Sequence, residues 1–170
     1  MSMHHINIEI KARCSAPEFI RDFLLSNKAR FVGVDHQIDT YFNVAAGRLK
    51  LREGNIENSL IYYRREDSAE PKQSDVTLFK TTPNSTLKEI LTSSLGIKTV
   101  VDKRREIFFI ENVKFHIDSV EGLGNFVEIE AIDENGTMGH DELLRQCRQY
   151  MELFKIKQDD LIKSSYSDMV

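Results

Sequence analysis

The chain has 170 residues, with 23 Lys+Arg against 27 Asp+Glu and a formal net charge of −4. That length suits one domain spanning residues 1–170, and 41% hydrophobic with 29% charged residues describes an ordinary globular composition, which argues against a disordered or fibrous chain. The mild acidity argues against a general nucleic-acid binder, and no apolar run approaches the roughly 20 residues of a membrane helix.

In chain order, His5–Arg13 alternates strictly, with Ile6, Ile8, Ile10 and Ala12 on one face and Asn7, Glu9, Lys11 and Arg13 on the other. This period of two predicts a strand. Ser15-Ala16-Pro17-Glu18 then reads as a capping box opening a helix with the stripe Phe19, Ile20, Phe23 and Leu24. Further strands are predicted at residues 37–44, 47–53, 60–66, 74–81, 101–111, 113–119 and 125–132. Residues 68–74 and 81–85 read as loops. Thr86-Leu87-Lys88-Glu89 predicts a second capped helix ending at Gly96, and residues 140–154 a third with Leu143, Leu144, Cys147, Tyr150, Met151 and Phe154 along one face. A short last helix is expected over residues 159–165. Eight strands with short connections predict an α+β fold, an eight-stranded antiparallel β-barrel with flanking α-helices.

The polar strand faces carry the functional signal. They hold Lys11, Lys50, Arg52, Arg64, Lys103 and Arg105 beside Glu9, Asp118, Glu128 and Glu130. In a closed barrel these groups share one enclosure, where two like charges 4 Å apart repel by about 4 kcal/mol at an effective dielectric of 20. A polyanion answers the cations, a divalent metal answers the carboxylates, and a metal-bound triphosphate does both. Arg65 competes with Arg64 for the inward place, because a one-residue slip reverses the strand faces. Cys14 and Cys147 form no zinc or disulfide pattern, and the five histidines lack metal-ligand spacing. Met1-Ser2-Met3-His4-His5 lacks the apolar core of a signal peptide; the two cysteines read as reduced thiols packed as small hydrophobes, so a cytoplasmic protein is expected.

Several motifs together resemble the CYTH family, the triphosphate tunnel metalloenzymes. Asn7-Ile8-Glu9-Ile10-Lys11 is similar to its ExExK signature, Gln37-Ile38-Asp39-Thr40-Tyr41-Phe42 to its QxDxYF strand, and Leu49-Lys50-Leu51-Arg52 to its LRxR-like strand. Lys103-Arg104-Arg105 fits its KxR pair, and the run from His116 to Glu130 matches most closely. Tyr63–Asp75 and Ser165–Asp168 resemble the class IV adenylyl cyclase branch. The resemblance implies a barrel tunnel holding two Mg²⁺ or Mn²⁺ ions and ATP or another triphosphate. Glu9, Asp118, Glu128 and Glu130 would then be metal ligands. Lys11, Lys50, Arg52, Arg64, Lys103 and Arg105 would grip phosphates. Of these, Glu9, Lys11, Lys103, Arg105, Asp118 and Glu128 would be catalytic. A homodimer is implied in the same way; no nucleic-acid or membrane partner is.

Asn7 departs from the signature, replacing its first glutamate and removing one negative charge. Three readings stand: an enzyme, most directly an adenylyl cyclase making cyclic AMP and pyrophosphate with an inorganic or thiamine triphosphatase as alternative; a nucleotide- or polyphosphate-binding protein impaired at Asn7; and a structural barrel with a charged lumen.

Overall fold

The structure is a computed structural model that describes Ser2–Val170, with side chains from His5 onward. It comprises β1 (Ser2–Arg13), α1 (Pro17–Ser26), β2 (Arg30–Phe42), β3 (Arg48–Gly54), β4 (Asn58–Arg65), β5 (Lys72–Lys80), α2 (Leu87–Leu95), β6 (Ile97–Ile110), β7 (Val113–Val120), β8 (Gly124–Asp133) and α3 (His140–Leu153). The strands close into an antiparallel barrel in the order β1-β5-β4-β3-β2-β6-β7-β8. Closure leaves no free sheet edge and gives every strand one inner and one outer face.

The outer face supplies the main core. Ile8, Ile10 and Ala12 of β1, Phe115 and Ile117 of β7, and Val127, Ile129 and Ala131 of β8 are buried beneath Ile20 and Leu24 of α1, Leu143 and Cys147 of α3, and Phe154 just after α3. Phe115 joins the layers, meeting Tyr150 and Phe154 edge to face at centroid distances of 4.7 and 5.6 Å. With the apolar faces committed outward, the alternating charged residues must point inward. Cys14 and Cys147 are buried free thiols, and burial pushes the Cys147 thiol up to about 12. Among the described residues no helix is long and apolar enough to cross a membrane.

Element boundaries depart from the sequence pattern where alternation fails. β2 starts at Arg30, seven residues before the predicted strand, because Arg30–His36 pairs with β6 around an irregularity at Gly33 while Phe31, Val32 and Val34 stay largely exposed. Ser15 and Thr86 form no side-chain cap: α1 takes Ala16 as N-cap ahead of Pro17, and α2 starts behind an uncapped Thr86. Phe19 is 42% exposed, leaving Ile20 and Leu24 to bury α1. The expected helix at residues 159–165 is absent. Its place is taken by single 3₁₀ turns at Gln158–Asp160 and Tyr166–Asp168, because Leu161 and Ile162 instead bond extended onto the end of β1.

That C-terminal segment closes one end of the barrel. Ile162 donates its amide to the Lys11 carbonyl at 2.8 Å, Lys72 Nζ donates to the Lys163 carbonyl at 3.0 Å, and Tyr166 packs against Phe126 at 5.1 Å. A second buried cluster of Tyr41, Tyr63, Val101, Val120, Phe126 and Tyr166 fills this end.

Candidate active site

The barrel encloses a cavity of about 250 Å³. Lys11, Lys50, Arg52, Arg65, Lys103, Arg105 and Lys114 line it together with Glu9, Glu57, Glu128, Glu130 and Glu134. Side chains far apart in sequence, such as Asn7 and Glu130, 123 residues apart, meet here because eight short registers turn the same strand phase inward.

The basic sector lies on β3 and β6, with β2 between them. Asp39 of β2 is fully buried and organises it. Arg52 donates Nε and Nη2 to the two Asp39 oxygens, each at 2.9 Å; Lys103 Nζ lies 2.7 Å and Lys50 Nζ 3.0 Å from Oδ2. Burial works to raise this carboxyl, but Arg52, Lys103 and Lys50 together hold it well below the usual carboxylate range. One carboxylate thus gathers three cations onto one wall and leaves them short of full neutralisation.

The acidic sector lies on β8 and β1. Register pairs Glu9 with Glu130 and Lys11 with Glu128. Glu128 receives Arg105 Nη2 at 3.3 Å, Lys11 Nζ at 3.6 Å and His116 Nδ1 at 3.3 Å. Burial opposes its ionisation, yet Arg105 and Lys11 hold it well below the ordinary glutamate value. Burial raises the Glu130 carboxyl to about 7; Lys114 opposes the rise, and the charges of Glu9 and Glu128 add to it. Burial and the neighbouring Arg105 lower His116 to about 3, so its ring is neutral near pH 7.

Glu130 predicts a pH effect. Its folded value lies above its ordinary 4.5, so its contribution to stability is complete below about 4.5 and is lost as pH rises through about 7. Wild-type protein should lose stability from this group between about pH 4.5 and 7, and Glu130→Gln should remove that dependence. Urea denaturation at a series of pH values checks it, and parallel curves for the two proteins would refute it.

The structure rearranges several sequence assignments. Arg64 is not in the tunnel. It is exposed and donates Nε to the Tyr62 hydroxyl at 2.8 Å, while Arg65, one residue on, points inward to Glu9 and Ser165. Strand phase decides this: Arg65 pairs with inward Ser74, and Arg64 with outward Asp75. Asp118, expected as a metal ligand, lies behind the lining. Arg105 takes both its oxygens, at 2.7 and 2.6 Å, and Tyr166 donates its hydroxyl at 2.8 Å. Asp118 therefore orients Arg105 as Asp39 orients Arg52. The crowded lumen charges, which alone demanded an outside partner, are also offset in part by one another.

Glu57, Lys114 and Tyr166 belong to the site without having been singled out as site residues. Glu57 sits in the β3–β4 hairpin, where no alternation marks it, and accepts from Arg52 Nη1 at 3.0 Å and from Lys114. Buried Asp35 holds that hairpin by accepting the amides of Ile56 and Glu57 at 2.8 and 2.9 Å. Gly54 permits the approach, since a Cβ there would stand 2.7 Å from both Asp35 oxygens. Tyr166 places its ring 3.7 Å beneath Lys11 Nζ; the Ser-Tyr-Ser-Asp segment was the available signal.

The carboxylates suit a hard divalent cation in donor type, and the raised Glu130 shows negative charge crowded beside Glu9 and Glu128. Among the described residues, however, no three such groups converge on one point. Glu9 is engaged by Arg65, Glu128 by Arg105 and Lys11, and Glu130 by the Asn7 amide.

A model of the CYTH domain matches residues 5–166. The chain belongs to the CYTH family. A Methanocaldococcus jannaschii protein that carries the name of a candidate adenylate cyclase is 26% identical over 181 aligned residues, covering 96% of this chain and 98% of that one. A solved Pyrococcus horikoshii protein superposes with a TM-score of 0.79 at 24% identity, covering 96% of this chain and 99% of that one. A candidate adenylyl cyclase from Hippeastrum, described as revealing a dominant triphosphatase activity, superposes at 0.61 with 15% identity, covering 95% and 91%. The two solved structures share this CYTH chain's eight-stranded barrel.

Proposed function

We propose that this CYTH protein is a metal-dependent enzyme that binds ATP in the barrel and converts it to cyclic AMP and pyrophosphate. The observation that carries the reading is the gathering of Lys50, Arg52 and Lys103 on one cavity wall by Asp39, with Arg105 and Lys11 beside them. Cations in that density, held in fixed orientation, suit a triphosphate and stabilise the charge that develops on a departing pyrophosphate. In the reaction the ribose 3′-oxygen bonds to the α-phosphorus, the bond from that phosphorus to the pyrophosphate oxygen breaks, and the hydroxyl proton passes to solvent. Arg52, Lys103 and Lys50 would hold the leaving pyrophosphate, and Arg105 the α-phosphate.

Glu9, Glu128 and Glu130 would hold Mg²⁺ or Mn²⁺, exchanging their present Arg, Lys and Asn partners for the ion. Such an ion supplies charge neutralisation and makes a nearby hydroxyl more acidic. The name borne by the Methanocaldococcus relative supports cyclisation. Asn7, which donates to Glu130, favours a second reading in which nucleotide is held without turnover.

Product identification after incubation with ATP and Mn²⁺ tests this. Cyclic AMP with equimolar pyrophosphate is the expected result. ADP and phosphate would replace cyclisation by triphosphate hydrolysis. Tight ATP binding without any product would leave the binding reading.

A further inference from the structure

Arg64 lies outside the tunnel, and its surroundings form a second basic concavity. A cleft of about 300 Å³ at the plugged end of the barrel is lined by Gly47, Arg48, Arg64, Arg65 and Lys98. Apart from Gly47 these are all cations and none is an acid, although the whole chain carries a net charge of −4. Among the described residues Arg65 alone also lines the tunnel, so it stands as the partition between the two cavities.

Local structure holds these cations at the cleft and leaves their donors free. Arg64 faces outward beside its cross-strand neighbour Asp75, the ordinary partner of an exposed arginine. Its guanidinium turns instead to Tyr62, donating Nε to the hydroxyl at 2.8 Å, and both Nη groups are left without a hydrogen bond among the described residues. Tyr62 is fixed in turn: its hydroxyl donates to the Ala46 carbonyl at 3.2 Å. Gly47 permits that approach, since a Cβ there would stand 2.8 Å from the Tyr62 oxygen. Lys98 is the extra residue of a bulge, because Tyr41 pairs with Thr99 and Phe42 with Ile97, so Lys98 opposes nothing on β2. Bulges re-aim side chains, and this one delivers Lys98 to the cleft, exposed and without an ion pair among the described residues. Arg48 is held by Asp168 at 2.9 Å and Asp67 at 3.3 Å, and Arg65 by Glu9. Arg65 Nε still has no partner among the described residues, on a side chain only 5% exposed.

Cations of one sign along a concave wall focus their field into it. Arginine forks match phosphate oxygens two at a time, and lysine adds a point charge. No aromatic or aliphatic side chain lines the cleft, so nothing in it receives a nucleobase. We infer that this cleft is a second anion site, outside the tunnel, for a small inorganic phosphate anion of the pyrophosphate class. Arg64 and Lys98 grip the anion with their free donors, and Arg48 and Arg65 add to the field behind them.

The test is calorimetric titration of the full chain with pyrophosphate, in metal-free buffer at about 0.15 M salt, where weak surface attraction is screened. Wild type, the double variant Arg64→Ala with Lys98→Ala, and Lys103→Ala are compared. Wild type should bind two equivalents, one in the tunnel and one in the cleft. The double variant should weaken one of them about tenfold or more and leave the other within about twofold, which also reports that the barrel is folded. Lys103→Ala should weaken only the tunnel equivalent. A single wild-type equivalent that Lys103→Ala weakens and the double variant leaves unchanged would overturn the cleft while the triphosphate reading stands. A single equivalent that only the double variant weakens supports the cleft and removes Lys103 from anion binding. No binding to wild type overturns the cleft. ADP held in the cleft more tightly than pyrophosphate would overturn its assignment to an inorganic anion. Should the double variant fail to fold, Lys98→Glu alone on the exposed bulge decides, and it too should weaken the cleft equivalent about tenfold or more.

Discussion

Lys103→Ala should weaken triphosphate binding by about thirty- to a thousandfold, the roughly 2–4 kcal/mol that a desolvated charge contact contributes, with only a modest loss of stability. The physical reason is redundancy. Asp39 keeps Arg52 on both its oxygens and Lys50 on one, so no buried charge is abandoned. Arg105→Ala should behave differently. Asp118 would retain only the Tyr166 hydroxyl, and a buried carboxylate stripped of its cation costs about 3–5 kcal/mol. Binding and stability should therefore fall together at Arg105 and separately at Lys103. Titration calorimetry with triphosphate and thermal unfolding, run on both variants, read the two quantities. Unchanged affinity in Lys103→Ala would remove the basic wall from the binding site.

The second large effect is expected at Glu128. Glu128→Gln preserves size and hydrogen-bonding capacity but removes the negative charge that Arg105, Lys11 and His116 share. Stability should change little, because Arg105 keeps Asp118 and Lys11 keeps the face of Tyr166. The Mg²⁺ or Mn²⁺ concentration for half-maximal activity should rise by at least the roughly tenfold to hundredfold that changes even outside a metal's direct ligands produce. A wild-type metal titration would show that Glu128 does not hold the ion.

These two predictions bear on how the tunnel balances its charges. Asp39 and Asp118 each sit behind the cavity lining and aim a cation into it, so the groups proposed to touch a phosphate are arginines and lysines whose geometry is set from the rear. Such preorganisation lowers the reorganisation required when charge moves during reaction. Glu9, Glu128 and Glu130, by contrast, line the cavity and are paired with groups that an incoming ion and triphosphate can together displace: the cations would turn to phosphate as the carboxylates turn to the metal.

Much of this was legible in the chain itself. Strict alternation in His5–Arg13 and Val113–Ser119 sorted apolar from charged faces, and a period of two admits no other reading for so polar a face. The charged face became a tunnel lining because helices α1 and α3 carry apolar stripes that only the opposite face can bury. Glu9, Lys11, Lys50, Arg52, Lys103, Arg105, Glu128 and Glu130 could therefore be grouped from strand phase and motif together. Three things waited for the tertiary structure. The Arg64/Arg65 choice needed the β4–β5 register, since adjacent arginines look alike in sequence and a single slip exchanges them. The placing of Asp118 behind Arg105 needed the depth of each side chain within the lumen, which alternation does not encode. Glu57 and the C-terminal plug needed the closed barrel, because a hairpin residue and an extended tail have no period of their own and acquire a role only from what they meet in space.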